Sequence, residues 1–335
     1  MDLFSYLLGK KSSSGGGGGS SDNWSDIGYE NTPQAIIDIH NYSKYIIQNW
    51  SSNSQLRDFK DVVIAPMLDI SNKISLDLFA TSCNNLREIP LLDTSNATSM
   101  NYMFKGCTSL KSIPLLDTSS NIGWQEMFSG CTALTTIPLL VTSKTRSLYQ
   151  TFYGCTALTN IPLLDTSILD NMYQTFYNCI ALTSIPELNT SNVTNMSGTF
   201  YNCRSLTTIP LLNTSNVTSM YQTFYNCIAL TSIPELNTSN VTNFNQTFYN
   251  CTALTTVPIL NMSKATIISS PFGGCKNLTD TSLDNILKMC ISAIAFTGQK
   301  NLTTMGLNAT NYPTSRIEAL PSYQDFINAG WSIGY

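Results

Sequence analysis

A cysteine returns every 24 residues, at Cys83, Cys107, Cys131, Cys155, Cys179, Cys203, Cys227, Cys251 and Cys275. Proline keeps the same step from Pro66 to Pro258, and phenylalanine from Phe104 to Phe272. Written from one cysteine, the unit is C-x-x-L-T-x-I-P-x-L-(D/N)-T-S-N-V-T-x-M-x-x-T-F-Y-N. Residues 179–202 and 227–250 differ at only three of 24 positions. Self-similarity at a fixed period is the mark of a repeat architecture, in which each unit buries one face and needs a neighbour above and below.

One unit reads as follows. Leu182-Thr-Ser-Ile185 is a short β-type stretch, ended by Pro186, which cannot donate a ladder hydrogen bond. Leu188 turns back into the core. Asn189-Thr-Ser-Asn192 carries turn and cap chemistry. Val193, Met196 and Phe200 follow at spacings of three and four, which predicts a helical or 3₁₀ return arm with one buried face. The expected fold is an α/β repeat, an open solenoid of about nine rungs with helical caps. Rungs about 4.8 Å apart give a rod or shallow arc of roughly 45 Å.

The spacing also decides what the cysteines are. Structural zinc sites use close pairs, not one cysteine per rung. The series reads as a column of reduced, buried thiols that pack as small hydrophobes. Cys290 falls outside it, on a helix-packing position. Asp69, Asp93, Asp117 and Asp165 share one repeat position with Asn189, Asn213, Asn237 and Asn261, and turn capping accounts for both residue types. Only 11% of the chain is charged, with 17 basic residues against 21 acidic ones and one histidine, so no basic stripe for nucleic acid is present. No apolar run approaches the ~20 residues of a membrane span. No nucleophile–base pair, phosphate loop or carboxylate dyad stands out. The chain reads as a non-enzyme without metal or cofactor.

The candidate binding residues are tyrosines. Tyr153, Tyr177, Tyr201, Tyr225 and Tyr249 form one column; Tyr149, Tyr173 and Tyr221 form a partial second. Between residues 171 and 263 the only charges are Glu187, Arg204 and Glu235. A face of Tyr, Asn, Gln and Thr suits uncharged partners such as glycans, or protein surfaces. The competing reading is that each ring lies over its neighbour and seals the return arm. Thr/Ser pairs such as 135–136 and 183–184 would form polar rows on the strand face.

The F-x-x-C-x-x-L-x-x-I-P core and the D-T-S-N-V-T-x-M segment resemble the BspA-type leucine-rich repeats of bacterial surface proteins, over about residues 59–278. That resemblance implies an open solenoid with a strand-lined face and a role in adhesion or host interaction. The head MDLFSYLLGKK places its lysines last, the wrong order for a secretory signal. It reads as a docking peptide, residues 1–10, on a Gly/Ser linker, residues 11–23. It is similar to the start of structural proteins in tailed phages and prophages of gut Firmicutes. Residues 24–58 read as an N-terminal helical cap: Thr32 and Pro33 open a helix, and Ile36, Ile39, Ile46, Ile47 and Trp50 line one face. Residues 279–335 read as the C-terminal cap. Within it, Thr281 and Asp284 form a capping box, Asn301–Leu307 a last strand, and Pro321–Ala329 a last helix stopped by Gly330. The functional expectation is a virion-associated receptor-recognition protein. Its solenoid would bind a host cell-surface protein or glycan, and residues 1–10 would dock on a virion structural protein. A bacterial cell-surface adhesin and a structural spacer or decoration protein are the alternatives.

Overall fold

A computed structural model describes Ile46, residues 55–59 and residues 61–334. The docking peptide and the Gly/Ser linker lie outside the described residues, as does the helix opened by Thr32 except for Ile46, which is helical and buried. No helix among the described residues is long and apolar enough to cross a membrane.

Successive repeats stack in parallel. Single parallel bridges recur at one repeat position, joining Ser75, Ser99 and Gly123 and then Ser147, Asn171, Asn195, Ser219, Asn243 and Ile267. The stretch expected to be a strand pairs sparsely: Thr183 N–H donates to the Thr159 carbonyl at 3.1 Å. Among the described residues the pairing thickens to single parallel bridges only at Ile64–Glu88 and Ser232–Thr256. At the second of these, Thr255 N–H donates to Thr231 at 3.0 Å and Ile233 N–H to Thr256 at 3.3 Å. Thr183 and Ser184 are both exposed, whereas a regular strand would send neighbours to opposite faces. The arm is therefore extended chain ended by proline, not a strand.

The return arm corrects the sequence reading more sharply. It is neither helical nor 3₁₀ but a run of consecutive turns. Thr199, Tyr201 and Cys203 N–H groups close turns onto the Met196, Gly198 and Phe200 carbonyls at 3.1–3.2 Å. The intervening N–H groups of Met196, Gly198, Phe200 and Asn202 donate to Ser219, Tyr221, Thr223 and Tyr225 of the next rung at 2.7–3.2 Å. Alternate peptides thus close turns and stitch rungs. The geometry needs left-handed backbone at every fourth residue, with φ +62° at Gly198 and +58° at Asn202, which no right-handed helix contains.

Inside, the spacing of three and four is obeyed: Val193, Met196 and Phe200 are fully buried. Phenylalanines from Phe104 to Phe272 form one continuous stack, with ring centroids 5.3–5.7 Å apart. Buried hydroxyls add two further seams. Thr199 Oγ1 donates to the Met172 carbonyl at 2.8 Å, and Thr190 Oγ1 to the Asn213 carbonyl at 2.8 Å.

After Cys275 the repeat gives way to α1, Asp280–Ser292. Its N-cap is Thr279, whose hydroxyl accepts the Ser282 N–H at 3.2 Å; Thr281 and Asp284 do not form the expected box. Asp284 instead accepts the Ser322 N–H at 2.7 Å and pairs with Lys288 at 2.9 Å. Asn301–Leu307 is turns, not a strand. It takes the place of the next return arm, since Phe272 N–H donates to Met305 and Ser270 N–H to Thr304. Two short helices follow, α2, Thr314–Glu318, and α3, Tyr323–Asn328. Gly330 stops α3 at φ +82°, and Trp331 packs at 6.1 Å on Phe326.

Candidate functional site

The cysteine column is closed to chemistry by its geometry. All ten cysteines are buried and unbridged. From Cys107 to Cys275 each thiol donates along the stack, as Cys131 Sγ does to the Phe104 carbonyl at 3.0 Å and Cys227 Sγ to Phe200 at 3.2 Å. Burial pushes the Cys227 and Cys275 thiols up to about 12, so no nucleophilic thiolate forms near neutral pH.

The tyrosine column emerges because Tyr follows Phe in each rung: as Phe turns inward, Tyr is left at the rim. Tyr153, Tyr177, Tyr201, Tyr225 and Tyr249 stack face to face at 4.7, 4.2, 4.6 and 5.0 Å. Each is half-buried, with its flat faces covered by its neighbours. Burial and the adjoining tyrosines push the Tyr177 hydroxyl above its usual range. What this column offers a partner is ring edges and hydroxyls. The second column is broken. Tyr149 and Tyr173 stack at 5.4 Å, Ser197 takes the next position, and Tyr221 stands exposed beyond it.

Sequence reading missed two amide columns beside these rings. Gln150 donates to Gln174 at 2.5 Å, and Gln222 to Gln246 at 2.7 Å; Gly198 interrupts the row. Asn178, Asn202, Asn226 and Asn250 form a second amide ladder, with Asn250 Nδ2 donating to Asn226 Oδ1 at 2.6 Å. The readable signal was a Gly or Asn at the position before each cysteine from Cys107 to Cys275. Together the columns make a face of aromatic edges, hydroxyls and amides that is poor in charge, with Arg204 Nε donating to Asn202 Oδ1 at 2.8 Å.

Elsewhere the polar side chains serve the backbone. Asp93 Oδ1 accepts from the Ser95 N–H and hydroxyl, at 3.1 and 2.6 Å, and Asn189 does the same with Ser191 at 3.1 and 2.7 Å. Aspartate and asparagine thus do one job in that column. The serine hydroxyl and N–H hold the Asp69, Asp93 and Asp117 carboxyls below their usual range. No three acidic, His or Cys side chains among the described residues gather into a metal site. Among the described residues, clefts open on the surface in at least two places. One of about 350 Å³ lies over Gly123, Trp124 and Ser99; one of about 550 Å³ lies between Glu235, Ile259 and Asn285.

The repeats are of a known kind. Residues 72–197 match the family described as BspA type Leucine rich repeat region, in six copies. Residues 170–286 match a family described as Mycoplasma protein of unknown function, DUF285. No curated protein matches the chain. Solved structures with partial similarity include a leucine-rich repeat protein from Eubacterium ventriosum, 21% identical, with TM-score 0.33, covering 48% of this chain and 38% of that one. A T. pallidum leucine rich repeat protein is 22% identical, with TM-score 0.36, covering 58% and 77%. One from Bacteroides ovatus is 18% identical, with TM-score 0.28, covering 65% and 63%. The chain thus spans about two fifths of the length of the Eubacterium protein.

Proposed function

We propose, for a chain whose residues 72–197 match the BspA-type leucine-rich repeat model, that it is a non-enzymatic recognition protein. Solenoids of stacked repeats serve as extended binding surfaces. The observation that carries the reading is the charge-poor face formed by the tyrosine and amide columns. Its tyrosine and amide columns are flanked by only three charges between residues 171 and 263. Such a face suits an uncharged host-surface partner, a glycan or a protein patch, where aromatic edges and amides make contact at low entropic cost.

The less tightly packed column gives the cleanest test. Tyr149→Ser, Tyr173→Ser and Tyr221→Ser combined should weaken binding to host cells or to an immobilised glycan array by about tenfold or more. The unfolding midpoint should stay nearly unchanged. Binding that survives would assign the tyrosines to packing alone. The finer reading, a receptor-recognition component of a phage particle, is supported by the resemblance of the head and the adjoining Gly/Ser linker. Deleting residues 1–10 should then leave particles without the protein. Particles that still carry it would favour the cell-surface adhesin or the spacer.

A further inference from the structure

Each repeat from residue 89 to 164 contains the run Ile-Pro-Leu-Leu. The second leucine, as Leu92, Leu116, Leu140 and Leu164, is buried in the core. The first is not: Leu91, Leu115, Leu139 and Leu163 are 59–62% exposed and share one register. Farther along the same row stand Glu187, Leu211, Glu235 and Ile259. Four consecutive leucines at about 4.8 Å make an apolar ridge of roughly 15 Å. Contiguous apolar surface of this kind marks an interaction site. Two residues beyond each leucine lies Asp93, Asp117, Val141 or Asp165, and the three aspartates and Val141 are exposed. The ridge therefore has an acidic edge.

We propose that this ridge is the docking site of the chain's own head, Leu3–Lys11. The match is one of composition, charge and length. Leu3, Phe4, Tyr6, Leu7 and Leu8 supply an apolar run, and Lys10 and Lys11 follow it, complementing leucines edged by aspartates. Six extended residues span about 20 Å, enough to cover the ridge. More than forty residues separate Lys11 from the described solenoid at Gln55, and Ser12–Asp22 alone reaches roughly 18 Å as a flexible Gly/Ser coil. The ridge also begins toward the N-terminal end of the stack, where that segment joins. The assignment is independent of the tyrosine face. The seat belongs to the free chain, and a particle that takes up the head would displace it.

Photo-crosslinking of the full chain tests this directly. With Phe4 replaced by benzoylphenylalanine, irradiation should yield intramolecular adducts on the peptides that contain Leu115 and Leu139. Leu115→Gln with Leu139→Gln, both at exposed positions, should cut that yield by about tenfold without moving the unfolding midpoint. Lys10→Glu with Lys11→Glu should do the same. Adducts elsewhere, or a yield that neither pair changes, would overturn the proposal. So would adducts that cross between isotope-labelled and unlabelled chains, which would make a second copy the occupant. Host-cell binding through the tyrosine columns should be unaffected by the leucine pair, so failure of one reading is distinguishable from failure of the other.

Discussion

Thr166 and Thr190 occupy the same position of the repeat, and both are buried. Their hydroxyls differ. Thr190 Oγ1 donates to the Asn213 carbonyl at 2.8 Å, whereas Thr166 Oγ1 has no partner. A buried hydroxyl costs free energy unless its hydrogen bond is made, so the isosteric change should separate them. Thr190→Val should destabilise by about 1–2 kcal/mol, while Thr166→Val should be neutral or slightly stabilising. Equilibrium denaturation measures both, and equal losses would refute the distinction. The thiols make a second prediction at this scale. Burial raises the Cys83, Cys227 and Cys275 thiols from 9.0 to about 12, and the other seven in the same direction. A group whose folded pKa is raised holds its proton in the native state after the unfolded chain has lost it. Its contribution is full below pH 9 and is lost as pH rises from there toward 12. All ten thiols are raised by burial, so all ten draw stability down together as pH climbs above 9. Native near-ultraviolet dichroism should collapse by about pH 10–11. Persistence of the native spectrum well beyond that would show that the thiols are not the buried acids their setting implies.

The return arm shows where sequence reading succeeds and where it stops. Val193, Met196 and Phe200 were legible as inward residues because their spacing of three and four fits any chain that folds back about every third residue. A helix does this, and so does a run of i→i+3 turns. The distinction lies in the sign of φ, which apolar spacing does not carry. The position before each cysteine did carry it. Gly106, Gly130, Gly154, Asn178, Asn202, Asn226, Asn250 and Gly274 all sit at positive φ, where Gly and Asn are tolerated best. The two architectures predict opposite outcomes for one substitution. In a helix, Gly130→Ala would stabilise by about 1 kcal/mol. In the turn, a Cβ at Gly130 meets only Gly106 backbone at 3.6–3.7 Å, so it has room, but φ is +76°. Gly130→Ala should therefore cost about 1–2 kcal/mol, and Gly130→Asn clearly less. Chemical unfolding of the two variants decides the matter. The exposed leucine row was illegible for a different reason. Leu115 and Leu116 are chemically identical, and only the direction of the extended chain after Pro114 puts one outside and the other in the core.

At the scale of the whole molecule, the period that was plain in the sequence becomes a statement about energetics. From Tyr153 to Tyr249 each rung touches its neighbours through the same set of contacts: Phe on Phe, Tyr on Tyr, thiol to carbonyl, and alternate N–H groups to the next rung. Stability among these rungs is then close to a sum of rung and neighbour terms. Removing one whole period should leave every remaining interface intact. Deleting residues 203–226 joins Asn202 to Cys227, the same Asn-Cys junction found at Asn226–Cys227. It also sets Phe200 beneath Phe248, as Phe224 now is. The shortened chain should fold, unfold cooperatively and keep its dichroism per residue, with the midpoint lowered by only a few degrees. Deleting 20 residues, 203–222, removes less chain but shifts the register by four. It breaks the Phe stack, the thiol seam and the tyrosine column together, so it should unfold the protein at ambient temperature or leave a loose state without near-ultraviolet signal. If the 24-residue deletion is the more damaging of the two, the interfaces are not equivalent, and the solenoid depends on some long-range element that its repeat does not reveal.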